Sequence, residues 1–185
     1  MSKWIRDIYN SKDPFSVRIF QVIAFCGVLA SFAGCITNTI SGLSVAVTLA
    51  TLFAGAVVVG LMFYVKKTGR IKLASCILVL VLNCLVLPIT FYTGGGVRSG
   101  MSAWFVLGSF VVFLLIHGKT FWVMLIISFA SMSITYIYAY YHPEAVIPLK
   151  NEWVSYEDII FSIFFVTIII GLIVRFQNRV YEDEQ

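Results

Sequence analysis

The sequence predicts an all-α integral membrane protein: a bundle of six transmembrane helices with both termini in the cytoplasm. Three observations carry that expectation. Of 185 residues, 60% are hydrophobic and 12% charged, against about half and a quarter in an ordinary soluble domain. The apolar residues gather in six blocks near the ~20-residue length that crosses a hydrocarbon core. Lys and Arg then divide 11 to 2 between the two sides those blocks define, which is the asymmetry of the positive-inside rule.

Met1–Phe15 carries Lys3, Arg6, Asp7, Lys12 and Asp13 ahead of any apolar run. That pattern is unlike a cleavable signal peptide. Residues 1–15 read as a cytoplasmic leader lying on the membrane surface through Trp4, Ile5, Ile8 and Tyr9. Residues 16–174 form the bundle, with spans at Ile19–Ile36, Leu43–Tyr64, Leu73–Phe91, Met101–Ile116, Phe121–Tyr141 and Ile159–Val174. The fourth and sixth blocks hold 16 residues each and gain a turn from their outer flanks, Gly96–Gly100 and Val154–Asp158.

The first two spans carry small residues four apart: Gly27–Ser31 and Ala30–Gly34, then Ala46, Ala50 and Ala54, with Thr51–Gly55 and Ala56–Gly60 beside them. Close backbone approach matters where lipid removes the hydrophobic drive between helices, so these spans form a hairpin around Asn38–Gly42. The third span contains Asn83, which needs an interhelical partner, and Pro88, which removes a helical hydrogen bond and kinks the helix. Trp4, Tyr64, Tyr92, Trp122, Tyr141 and Trp153 lie at the interfaces.

The inner segments hold Lys3, Arg6, Lys12, Arg18, Lys66, Lys67, Arg70, Lys72, Lys119, Arg175 and Arg179, and the outer side Arg98 and Lys150. The longest outer loop is acidic, with Glu144, Glu152, Glu157 and Asp158. The net charge of +4 is thus an orientation signal suited to anionic lipid, and it does not point to nucleic acid. This places the chain in the plasma membrane as a multi-pass protein.

Little in the chain suggests chemistry. Cys26, Cys35, Cys76 and Cys84 all fall in spans without metal spacing and read as small packed hydrophobes. No metal site or cofactor is expected. A mid-membrane charge usually marks an ion path, and the six blocks carry none. Gly118-Lys119-Thr120 has Phe113 where a P-loop needs its first glycine. His117 and His142 belong to opposite faces. The chain by itself reads as no enzyme, with no catalytic residues.

The informative segment, Thr90–Phe105, joins the third and fourth spans on the outer side and contains Thr93-Gly94-Gly95-Gly96-Val97-Arg98-Ser99-Gly100. Consecutive glycines lose much conformational freedom on ordering, so they suit a sharp turn or a loop dipping between helices. Two readings stand side by side. One is a tight turn beside an interfacial aromatic belt. The other is a ligand-binding wall built by Tyr92, Gly94, Gly95, Gly96, Arg98, Trp104, Tyr136 and Tyr140 around an outward-facing pocket for a small molecule or lipid. Arg98 would hold an anionic or carbonyl group there, or more simply a lipid phosphate.

The run Phe91–Gly108, with its Thr-Gly-Gly-Gly-x-x-Ser-Gly-Met-x-x-Trp-Phe core, resembles the outer loop and fourth span of a six-helix N-terminal sensor module of bacterial signalling proteins. Asp13–Arg18, Pro88 and Tyr141–Glu144 match as well. In that family the module precedes a histidine kinase of a two-component system or a GGDEF diguanylate cyclase. The resemblance therefore implies an input domain for signal transduction, working as a homodimer in the full-length protein. Residues 175–185 read as the stub of a signalling helix, with Ile173, Phe176 and Val180 at helical spacing toward a dimer axis, and the sequence as a fragment of a longer protein or the partner of a separate one. The alternative is the six-helix substrate-binding subunit of a vitamin-type transporter, for which size and helix number fit equally.

Overall fold

A computed structural model describes residues 15–40 and 42–184, and none of these is in a strand. The leader and its membrane-surface face lie outside the described residues. Six helices follow in order: α1 Phe15–Ile40, α2 Val45–Thr68, α3 Ile71–Thr93, α4 Met101–Leu115, α5 Lys119–Tyr141 and α6 Glu152–Glu184. Five are long and apolar enough to cross a membrane, and α4 is shorter. Each coincides with a span expected from the sequence: α1, α3, α5 and α6 contain theirs, α2 starts two residues after Leu43, and α4 ends one residue before Ile116.

Local chemistry sets the boundaries. After α1, Gly42 adopts φ 61°, its N–H reaches Thr39 O and that of Leu43 reaches Asn38 O. This paired closure is a Schellman turn. Ser44 Oγ accepts from Val47 N–H to cap α2, and donates to Thr93 O at the end of α3. Lys66 and Lys67 occupy the last turn of α2, where cations offset the helix dipole.

The hairpin forms as the small residues suggest. Any Cβ on Gly34 would lie 3.1 Å from Thr51 Cγ2, and one on Gly55 would lie 3.1 Å from Ser31 Cβ. Asn38 Nδ2 donates to Thr51 Oγ1 at 3.3 Å. The Ala56–Gly60 pair is not part of this seam, since Gly60 faces open space.

Pro88 leaves a different imprint from a simple kink. Residues Leu82–Val86 form a π-turn inside α3. Leu87 N–H donates to Leu82 O, one residue beyond its α-helical acceptor. Asn83 O therefore loses its usual donor, and the next candidate, Pro88, has no N–H. Ser131 Oγ on α5 donates to Asn83 O at 2.9 Å instead. The Asn83 side chain is 2% exposed and donates through Nδ2 to Gly108 O on α4 at 3.2 Å. A proline, an asparagine, a serine and a glycine thus join α3, α4 and α5 at one level.

The burial pattern is that of a membrane protein. In α5 the buried residues are Ser128, Thr135 and Ala139, while Trp122, Ile126 and Ile134 are exposed. Polar and small groups face the bundle and large apolar groups face outward. On a soluble protein such faces would be a large unpartnered apolar surface; here they suit lipid.

Residues 42–44, 94–100 and 142–151 meet at one end of the bundle, joined by Ser44 Oγ to Thr93 O and by Ile147 N–H to Tyr92 O. Toward the other end Phe20, Ala74, Val79 and Val112 form a core without solvent access. Ile173 and Phe176 belong to that same core. This corrects the expectation that they face a dimer axis: their spacing satisfies their own bundle. The side chain of Val180 lies outside the described residues.

Candidate functional site: a Gly-rich loop clasped over a cavity

The Gly-rich segment is a built element with many anchors. Gly96–Arg98 forms a 3-10 turn, and Gly94, Gly95, Gly96, Ser99 and Gly100 are buried. Gly95 has φ 102°, a conformation that L side chains resist. A Cβ there would also lie 2.8 Å from Leu149 Cδ1. Leu149 and Val146, in the loop between α5 and α6, press onto Gly95 and Gly96 and leave no space for side chains at these positions.

The segment is also tied to α6. Gly100 N–H donates to Asp158 Oδ2 at 2.7 Å, Ser155 Oγ donates to Arg98 O, and Trp104 Nε1 donates to Ser162 Oγ at 3.1 Å. A Cβ on Gly100 would overlap the Ser162 side chain and lie 2.7 Å from Asp158 O. Glycine at 100 is thus what lets the start of α4 approach α6.

The expected aromatic wall divides into two groups. Tyr92 donates through its hydroxyl to Thr135 O at 2.9 Å. Tyr136 hydrogen-bonds Ser102 at 2.7 Å, and its ring lies 4.8 Å from Phe91 and 5.9 Å from Phe105. These two tyrosines close a small second core between α3, α4 and α5. Tyr140 is 81% exposed and is not brought to the group, pairing edge-on with Tyr141 instead. The Arg98 side chain is exposed and also lies away from the cavity walls.

A partly enclosed cavity of about 190 Å³ lies on the other side of α4, with walls from α1, α2, α3, α4 and α6. It exceeds the ~150 Å³ void that accepts benzene and falls below the ~300–1,000 Å³ of drug-sized pockets. Of the eight residues expected to build a ligand-binding wall, Gly94 and Trp104 line it. The face of α6 that lines it runs Asp158, Ser162, Phe165, Ile169 and Ile173, a three–four spacing that keeps one stripe inward. Polarity falls along that stripe from the loop end toward the floor. The Asn38–Thr51 hydrogen bond lies in the α1–α2 wall.

Sequence reasoning assigned Asp158 to an acidic outer loop and passed over Ser162. A signal existed. Positions three and four on either side of Asp158 are Val154, Ser155, Phe161 and Ser162, so no basic residue on its own helix can neutralise it. At the surface, Glu144 accepts from its own backbone N–H and from His142, which hold its carboxyl below the usual range. That pair lies outside the cavity walls. Among the described residues no group of three or more His, Cys, Asp or Glu could hold a metal ion, and the four cysteines are unpaired.

No protein-family model, curated protein or solved structure matches the chain.

Proposed function

We propose that this chain is the membrane-embedded input domain of a bacterial signal-transduction protein. In this reading all six helices cross the plasma membrane and both termini are cytoplasmic. A small molecule or lipid acts at the cavity, and α6 passes the change to a histidine kinase or diguanylate cyclase. The observation that carries the reading is the continuity of α6. One unbroken helix supplies the cavity wall at Asp158 and Ser162 and runs on to Glu184. At 1.5 Å per residue its 33 residues extend about 50 Å, some 20 Å more than a hydrocarbon core requires. The Gly-rich motif supports the same reading through its resemblance to sensor modules. The 11-to-2 division of Lys and Arg supports the orientation. In this reading the short α4 crosses with the 3-10 turn Gly96–Arg98, of which Gly96 is buried, taking up the depth it leaves. A homodimer of the full-length protein would use the exposed α6 face at Leu172, Arg175 and Arg179, since Ile173 and Phe176 are occupied within the bundle.

The test is the phase of α6. In the full-length protein, two residues inserted between Arg179 and Val180 turn the downstream helix by about 200°, whereas seven return it to within about 20°. Kinase or cyclase output should change several-fold with two residues and be retained with seven. Equal tolerance of both would make α6 a passive tether and overturn the proposal. A chain with no such effector, whether in its own reading frame or as a co-purifying partner, would favour the transport subunit, whose mark is a co-purifying ATPase.

A further inference from the structure

We propose that the cavity is a binding site for a small hydrophobic cation, an aromatic or branched aliphatic ammonium, with Asp158 as its counter-ion. The inference names the ligand class of the site proposed above for sensing and rests on that reading only for its biological use. Three observations converge on it. The first is an uncompensated carboxylate. Asp158 Oδ2 accepts one hydrogen bond, from Gly100 N–H, and Oδ1 accepts none from the described residues. Among the described residues the ion pair within 4 Å is His142–Glu144, so no Lys, Arg or His neutralises Asp158. Asp158 is part-exposed, and a carboxylate on the wall of a mostly apolar space is relieved either by taking up a proton or by a positive group that joins it.

The second observation is the order of the walls. Beside Asp158 stand Trp104 and Ser162, and beyond them Phe165 and Ile169. An aromatic ring next to a carboxylate is the combination that attracts an alkylated ammonium, by charge and by the ring quadrupole. The aliphatic end takes the ligand's apolar body. A neutral ligand would leave the carboxylate unpaired and an anion would be repelled. The third is the charge of the segments at that end of the bundle, which carry Glu144, Glu152 and Glu157 besides Asp158 against Arg98 and Lys150, a balance that favours cations over anions there.

The proposal can be tested on the purified chain in phosphatidylglycerol nanodiscs. The probes are benzyltrimethylammonium and neopentylbenzene, the same shape with carbon in place of the charged nitrogen. Binding is read by isothermal titration and by the quenching of tryptophan fluorescence. The cation should bind at least tenfold more tightly than its neutral isostere. Asp158→Asn keeps an acceptor for Gly100 N–H and removes the charge, so it should erase that preference while leaving thermal unfolding near the wild type. Equal binding of the two probes by the unaltered chain would overturn the proposal without reference to any variant, as would an unchanged preference in folded Asp158→Asn. Repeating the titration with phosphatidylethanolamine in the disc separates two sources of the same chemistry. Competition identifies a lipid headgroup and its absence a free amine, and both outcomes support the cation site. Because binding is measured without any effector, loss of the site and failure of the helix-phase test are separate results.

Discussion

Gly108→Ala probes the level at which α3, α4 and α5 are joined. A Cβ at 108 would overlap Asn83 Oδ1 and lie 3.0 Å from Leu87 Cδ1. The leucine end can move, but the asparagine is 2% exposed and held by its bond to Gly108 O. Overpacking of this kind costs about 1–3 kcal/mol, and the lost interhelical hydrogen bond adds about 0.6. Alanine's higher helix propensity returns about 1 kcal/mol. The expected net loss is therefore about 0.6–2.6 kcal/mol. Asn83→Ala removes the obstructing side chain, so the double variant Asn83→Ala/Gly108→Ala should be more stable than the sum of the single losses by about 1–2 kcal/mol, as contacting residues require. Reversible unfolding of the purified chain in mixed micelles, followed by far-UV circular dichroism, gives all four values. A Gly108→Ala protein as stable as the wild type, or additive single effects, would refute the proposed contact.

Gly95→Val should lower stability by about 1–3 kcal/mol, because φ 102° is strained for a branched residue and Leu149 occupies the added volume; thermal unfolding measures it. Tyr136→Ala should cost about 2 kcal/mol or more by opening the core around Phe91 and Phe105, and so should lower folded yield. In the sensor reading, Trp104→Ala should instead change effector output at near-normal expression, since Trp104 lines the cavity. In a chain without native cysteines, Lys67→Cys and Gln177→Cys should resist an impermeant thiol reagent applied to intact cells and Val97→Cys should react; labelling at 67 or 177 would overturn the orientation.

The helices were legible because a span of apolar residues has few alternatives, and because caps and turns such as Ser44 and Gly42 have local chemistry. The hairpin was legible from Gly34, Thr51 and Gly55, whose spacing brings backbones together. The π-turn was not, because Pro88 states only that a donor is missing; where the register shifts depends on Ser131, 48 residues away, which supplies the replacement. The aromatic wall was read from proximity in sequence and interfacial position. Trp104 does line the cavity, but Tyr92 and Tyr136 point their hydroxyls at Thr135 and Ser102 on neighbouring helices. Periodicity cannot tell a core tyrosine from a lining one when both sit on inward faces. Ile173 and Phe176 show the same limit, for three–four spacing marks a buried face without naming what buries it.

These placements constrain how a signal would leave the cavity. A ligand shifts an equilibrium only by the difference in its affinity for two packings, so the groups that contact it must also sit where the packings differ. Trp104 and Asp158 meet that condition, because each is both a wall of the cavity and a link between helices: Trp104 joins α4 to α6 through Ser162, and Asp158 joins the Gly-rich loop to α6 through Gly100. A cation drawn to Asp158 would compete with the Gly100 N–H for the carboxylate and loosen α6 from the loop. Further along α6, Ile173 and Phe176 are packed into the core at the other end of the bundle. In the sensor reading, motion at the clasp would then reach the C-terminal end of α6 as a tilt or rotation about that core. In the sensor reading this predicts that Asp158→Ala, which releases the clasp without any ligand, shifts effector output in the direction the ligand does. Asp158→Asn keeps the clasp and should only abolish the response. Identical behaviour of the two variants would separate the clasp from signalling and leave Asp158 as a counter-ion alone.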